Sequence, residues 1–150
     1  MRYEYRQLGP SDIRLLRELL GVFAQAFGEP ATYLSAQPDD SYLRKLLGQD
    51  QFIAVIALNG DTVVGGLAGY VLQKFEQERS EIYIYDLAVA EAHRRKGIAT
   101  GLIRHLQDVA KSYRAWVIFV QADPGDAPAL KLYASLGTRE DVHHFDIPVS

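Results

Sequence analysis

Seven consecutive residues, Arg94-Arg95-Lys96-Gly97-Ile98-Ala99-Thr100, gather three cations around a glycine where a helix is expected to begin. The first N–H groups of a helix have no intrahelical partner, and the helix dipole favours negative charge there. Gly97 lets an anion approach the main chain closely. This spacing suits the binding of phosphate or pyrophosphate. A second set of candidates is acidic: Glu81 and Asp86 in one apolar run, then Asp123, Asp126, Glu140 and Asp146. Carboxylates of this kind can anchor an ammonium group. A carboxylate of ordinary pKa can deprotonate an amine only through a water relay, or after its own pKa is raised. His143-His144 would point to opposite faces of a strand, and the chain has no cysteine and no evident third ligand, so no metal is expected.

The elements that must position these groups follow from hydropathy patterning. Ile82-Tyr83-Ile84-Tyr85-Asp86-Leu87-Ala88-Val89 reads as a buried strand. Strict alternation along it would send Glu81 and Asp86 to opposite faces. In the helix that follows, Ile98, Leu102, Ile103, Leu106, Val109 and Ala110 share one face. A strand that runs into a basic glycine turn at a helix start is an anion site. The turn lacks the Gly-x-Gly-x-x-Gly spacing and the preceding βαβ unit of a dinucleotide fold.

The length of 150 residues fits a single domain, 1–150, with one core. Apolar content of 48% with 23% charged residues excludes a disordered chain. The absence of cysteine rules out disulfides and thiolate chemistry and favours a cytoplasmic protein. No apolar run reaches transmembrane length, and Met1-Arg2-Tyr3-Glu4-Tyr5 does not read as a signal peptide, so no membrane association is expected. The net charge of −3 argues against general nucleic-acid binding. Charge is also segregated. His93, Arg94, Arg95, Lys96, Arg104, Lys111 and Arg114 cluster around one helix, while acids lie before it and after it. This division suits an anionic cofactor and a cationic partner.

In chain order, residues 3–8 alternate like an edge strand, and Ser11 is placed to cap a helix carrying Ile13, Leu16, Leu19, Leu20, Phe23 and Phe27 inward. A polar loop is expected over 31–38, a helix over 41–47 closed by Gly48, and a strand over 52–58. Asn59-Gly60 marks a hairpin into a glycine-containing strand over 62–71. After the central strand and helix come a strand over 116–121, a helix over 127–136 closed by Gly137, and a last strand over 142–147. The order is mixed α/β, antiparallel in its first half and βαβ in its second.

Arg94-x-x-Gly97-x-Ala99 after this strand resembles motif A of the GNAT N-acetyltransferase superfamily. The element order is likewise that of the GNAT fold, so the resemblance spans nearly the whole chain. It implies a mixed central sheet, splayed between the fourth and fifth strands and flanked by helices, with acetyl-CoA as cofactor. Arg94, Arg95, Lys96, Gly97, Ile98, Ala99 and Thr100 would hold its pyrophosphate. Backbone atoms of Leu87, Ala88 and Val89 would meet its pantetheine arm, and the N–H near Leu87 would stabilise the oxyanion. Asp86, beside the splay, becomes the preferred substrate anchor or base. The segment from Ala129 to Gly137 resembles the family's Ala-x-x-Leu-Tyr…Gly helix, which implies that Tyr133 protonates the departing thiolate. Its helical spacing equally suits a core residue. The family often has Asn where this chain has Asp126; an acid cannot donate an amide's hydrogen bonds, which leaves Asp126 for a cationic substrate or alters the CoA contact.

Three further stretches, residues 75–89, 120–126 and 144–147, resemble the GNAT-type aminoglycoside 3-N-acetyltransferases. The implied substrate is a polycationic aminoglycoside of the gentamicin class, acetylated on the 3-amino group of deoxystreptamine, with antibiotic resistance as the result. Glu81, Tyr83, Asp86, Asp123, Asp126, Glu140 and Asp146 are its expected contacts, and Tyr33, Tyr83 and Tyr85 could stack on sugar rings. Two alternatives remain open: an acetyltransferase for a polyamine or protein amine, and a non-enzymatic acyl-CoA-binding domain, which would need neither Tyr133 nor the acids. The sequence leaves open whether the chain forms a homodimer.

Overall fold

The computed structural model of the protein describes residues 2–150. One sheet of five strands runs in the order β1 (Glu4–Gln7), β2 (Phe52–Asn59), β3 (Thr62–Gln73), β4 (Ser80–Val89) and β5 (Ala115–Val120). Every neighbouring pair is antiparallel except β4–β5, which is parallel. Between β1 and β2 come α1 (Ile13–Phe27), α2 (Pro30–Leu34) and α3 (Asp40–Leu47). A short turn of 3-10 helix, Glu91–His93, and α4 (Ile98–Lys111) connect β4 to β5, and α5 (Ala127–Leu136) follows.

The uninterrupted apolar run in β2 exists because both of its faces are covered. Phe52, Ala54 and Ile56 join Leu16, Leu19 and Phe23 of α1 and Leu43 of α3 in one core. Ile53 and Val55 face the opposite way and pack with Leu102 and Leu106 of α4. Close sheet–helix approach explains a glycine of β3: a Cβ on Gly66 would lie 2.4 Å from Leu19 Cδ1 and 2.8 Å from the Val55 carbonyl oxygen.

The structure departs from the sequence reading at four places. Asp12, not Ser11, occupies the N-cap of α1, and its carboxylate turns back to accept from the Gly9 N–H at 2.8 Å and from Arg6. Part of the expected polar loop is the helix α2, started by Pro30 at its first position. Gly48 caps α3 in right-handed geometry, with its N–H on the Arg44 carbonyl. No strand forms over 142–147. That segment has the alternation of a strand but pairs with nothing in its own sheet, and every residue from Gly137 to Ser150 is exposed.

A fifth difference bears on the site. Gly69 pairs with Ile84 but Ala68 pairs with Asp86, so Tyr85 is an extra residue, a β-bulge in β4. Before the bulge Ile82 and Ile84 face α4; beyond it Leu87 and Val89 take over that side, and Ala88 joins the α1 core. Glu81, Tyr83 and Asp86 therefore share one face of β4. The expectation that Glu81 and Asp86 lie on opposite faces is corrected, because one inserted residue reverses the period of two.

Candidate active site

β4 and β5 part company midway. Their pairing runs from Ser80–Ala115 to Ile84–Val120 and stops, while β4 continues to Val89 paired only with β3. Residues 85–89 therefore present one backbone edge to a gap in the sheet. Backbone polar groups on such an edge need partners. Among them, the Val89 carbonyl accepts from Arg94 Nε at 3.1 Å, which ties the basic turn to the end of the strand.

That turn is shaped for an anion. Gly97 has φ +78°, and a Cβ there would meet nothing within 4 Å, so open space lies before it. Arg95 is also left-handed, at φ 63°. The first helical bond of α4 runs from Gly101 N–H to the Gly97 carbonyl, leaving the N–H groups of Ile98, Ala99 and Thr100 ahead of it. Arg94, Arg95 and Lys96 are exposed around them. Free amide donors, fixed cations and an unfilled glycine cradle fit a pyrophosphate group.

On the α1 face of the split strand lies Asp86. The Tyr33 hydroxyl donates to its Oδ2 at 3.0 Å. Burial pushes the Asp86 carboxyl above its ordinary range; the Tyr33 hydrogen bond opposes this, and the charge of Glu29 adds to it. Tyr33 itself is pushed well up by burial and by the carboxylate beside it. Its ring packs against Phe23 and Phe27, at 5.8 Å from each, which fixes the hydroxyl. Sequence reasoning gave Tyr33 only a stacking role in a loop. Pro30 at a helix start was the available signal that the segment is ordered.

Beside Asp86 a row of rings crosses four strands. Phe52, Tyr70, Tyr85, Tyr83 and Phe119 follow one another with centroid separations of 5.6, 5.9, 5.6 and 4.7 Å. The last pair is stacked at 8°. The Tyr83 hydroxyl donates to Gln121 Oε1 at 3.0 Å. Tyr70 and Phe119 were not foreseen as site residues, because only strand pairing brings them into line with Tyr83 and Tyr85.

The remaining candidates are scattered. Glu81 accepts from Trp116 Nε1 at 3.0 Å and lies 3.9 Å from Lys74, at the far end of β4 from Leu87. Asp126 is the N-cap of α5 and accepts from the Ala129 N–H at 3.2 Å. Tyr133 is half-buried against the α4-side core, and burial, followed by the charge of Asp126, raises its pKa. Asp123 is exposed in the loop after β5. Glu140 and Asp146 lie on the exposed tail, where Asp146 pairs with His144 Nε2 at 2.8 Å. Within one chain, then, the structure groups Asp86 with Tyr83 and leaves Glu140 and Asp146 on a separate exposed segment.

A basic glycine turn beneath a half-open pair of parallel strands agrees with what sequence comparison finds. The Acetyltransferase (GNAT) family matches residues 16–138. The chain belongs to the GNAT acetyltransferase family. It is thus an acetyl-transferring enzyme with acetyl-CoA as acyl donor, built on the GNAT fold. Among solved structures, an aminoglycoside acetyltransferase from an uncultured soil metagenomic sample is 54% identical, covers 100% of both chains and superposes with a TM-score of 0.98. A second soil-metagenome aminoglycoside acetyltransferase, in complex with sisomicin, is 32% identical over 99% of this chain and 97% of its own, with a TM-score of 0.90. Streptothricin acetyltransferase of Streptomyces lavendulae is 27% identical over 90% of this chain and 80% of its own. Among the described residues, no helix of this GNAT protein is long and apolar enough to cross a membrane.

Proposed function

We propose that this GNAT protein is an aminoglycoside N-acetyltransferase that modifies the 3-amino group of a deoxystreptamine drug of the gentamicin class, conferring resistance. The observation that carries the reading is Asp86, a half-buried carboxylate held by Tyr33 beside a row of rings of which Tyr70 and Tyr85 are exposed. A carboxylate attracts an ammonium, and aromatic faces accept the apolar side of a sugar. Full-length similarity to an aminoglycoside acetyltransferase and to a sisomicin-bound relative supports the choice of substrate. The 3-amino position rests on the likeness of residues 75–89, 120–126 and 144–147 to the 3-N-acetylating enzymes.

In this reading acetyl-CoA supplies an activated acetyl thioester. Arg94, Arg95, Lys96 and the amides of Gly97 to Thr100 hold its pyrophosphate, and the backbone edge of Leu87, Ala88 and Val89 lines the gap for its arm. The Leu87 N–H is the donor for the negative charge that develops on oxygen. Asp86 anchors the substrate ammonium, and its raised pKa improves it as an acceptor of the amine proton, directly or through water. Tyr133 hydrogen-bonds to the leaving sulfur. Glu81, Tyr83, Asp123, Asp126, Glu140 and Asp146 supply the remaining substrate contacts. The protein acts in the cytoplasm as a single domain without nucleic acid.

A second reading has its own support. The streptothricin acetyltransferase relative favours streptothricin as the amine. Acetyl-CoA turnover measured with gentamicin, sisomicin, kanamycin, streptothricin, spermidine and peptides separates these substrates, and NMR of the product locates the acetyl group. Gentamicin acetylated at N-3 is the expected result. Turnover confined to spermidine or peptides, or none at all, overturns the proposal.

A further inference from the structure

We propose that Tyr3 and His93 are positioning residues for the cofactor turn, their contact fixing residues 94–100 in the shape that receives pyrophosphate. This rests on the reading of that turn as the pyrophosphate cradle, and adds what holds the cradle in place. The turn needs such a hold. Arg95 has φ 63° and Gly97 has φ +78°. A left-handed backbone at a residue with a side chain is strained and persists only where its surroundings over-determine it. Yet the turn offers its surroundings little to grip. Of residues 91–97, His93 alone is not exposed.

His93 meets the residue that precedes β1. The Tyr3 hydroxyl lies 3.0 Å from His93 Nδ1, across 90 residues of sequence. The two rings also meet edge to face, with centroids 5.8 Å apart and planes at 83°. The hydroxyl donates when Nδ1 carries no proton and accepts when it does, so the contact survives titration of the imidazole. Tyr3 packs against the α4-side core, which makes it a fixed support. The main chain carries that support into the turn. The His93 N–H donates to the Ala90 carbonyl at 2.9 Å and the Arg94 N–H to the Glu91 carbonyl at 3.3 Å. Tyr5, two residues along and on the same face of β1, meets the other end of the turn. A Cβ on Gly101 would fall 2.1 Å from the Tyr5 hydroxyl oxygen, and the Tyr5 ring stacks with His105 at 6.5 Å. Gly101 supplies the N–H of the first helical bond in α4, so its missing side chain lets the edge strand press on that first turn. The two tyrosines bracket the cradle, one before Arg94 and one after Thr100.

The test separates support of the cradle from general packing by changing the acyl donor. S-acetylpantetheine offers the same thioester as acetyl-CoA without the pyrophosphate. Tyr3→Phe deletes the hydroxyl and keeps the ring, and His93→Leu deletes its partner. His93→Asn sets an amide group close to where Nδ1 stood, able to accept or donate. Calorimetry should find the Kd for CoA raised about five- to tenfold in Tyr3→Phe and His93→Leu, and within about twofold of native in His93→Asn. Thermal melting serves as the folding control. In both weakened variants kcat/KM should fall with acetyl-CoA and stay constant with S-acetylpantetheine. Unchanged CoA affinity in folded Tyr3→Phe and His93→Leu overturns the proposal, and so does an equal loss with both donors. Gly97→Glu tells the two failures apart. Normal CoA binding by folded Gly97→Glu removes the cradle and the proposal with it. Binding abolished by Gly97→Glu but untouched by the Tyr3 and His93 variants leaves the cradle standing and overturns its support.

Discussion

The Tyr33 hydroxyl donates to Asp86 Oδ2 at 3.0 Å, joining α2 to β4 across 53 residues of sequence. This bond lowers the Asp86 pKa while burial, the larger effect, raises it. Tyr33→Phe removes the lowering influence alone. The acidic limb of kcat/KM should then move to higher pH, with a loss of about tenfold below the new limb, equivalent to about 1.4 kcal/mol. Rate profiles between pH 5 and pH 8 check this. An unmoved limb would mean that Asp86 is not the group whose ionisation activity requires.

Asp86→Asn should separate activity from stability. A carboxyl with a raised folded-state pKa holds its proton more tightly in the folded chain than in the unfolded one. Its contribution to stability is therefore present below the unfolded pKa and is lost as pH rises through the folded pKa. At neutral pH the native Asp86 is a stability cost, and Asn, which can still accept from Tyr33, removes it. The variant should melt at the same temperature or a few degrees higher at pH 7 while kcat/KM for the amine collapses. A lower melting temperature at pH 7 would contradict the burial argument.

Gly97→Glu should abolish CoA binding, because it sets bulk and negative charge into the anion cradle. Gly97→Ala is the finer probe. At φ +78° any side chain strains the backbone by roughly 1–2 kcal/mol, but the new Cβ meets no neighbour. The expected result is a folded protein whose CoA affinity falls about tenfold. Calorimetry that finds normal CoA binding by folded Gly97→Glu would remove the site.

Tyr133→Phe should lower kcat by about 10²–10⁴ with CoA affinity and fold retained. A thiolate whose thiol has a pKa of roughly 8.5 is a weaker base than the phenolate of a phenol of about 10, and burial raises Tyr133 further. Full proton transfer to sulfur is thus uphill, and the phenol works by hydrogen-bonding as charge develops. Phe keeps the packing against the α4-side core. Near-normal kcat in an assay limited by chemistry would leave Tyr133 a core residue.

Asp126→Asn isolates charge from helix capping. Asn caps about as well as Asp, so α5 should persist, whereas Ala would cost about 0.5–2 kcal/mol. If Asp126 meets a cationic drug, Asn raises KM, added salt raises KM of the native enzyme, and CoA affinity stays constant. A KM indifferent to both changes would confine Asp126 to its cap.

Much of this was legible in the sequence because its causes are local. The amphipathic face of α4 is set by residues three and four apart, the Asn59-Gly60 hairpin by adjacent residues, and the anion turn by Arg94 to Thr100 within one stretch. Asp126 caps α5 through a bond to a residue three positions on. The family likeness drew on the same short segments.

Long-range pairing decided the rest. The bulge at Tyr85 comes from the register against β3, and it alone places Asp86 on the face of Glu81 and Tyr83. Tyr33 reaches Asp86 only after α1 and α2 pack over the sheet, and the row from Phe52 to Phe119 exists only across four paired strands. Residues 142–147 make the converse case: alternation by itself specifies a strand that could pair, and whether it does depends on an edge elsewhere. A period of two records which side chains share a face, but the partner that satisfies the backbone is chosen by the tertiary structure.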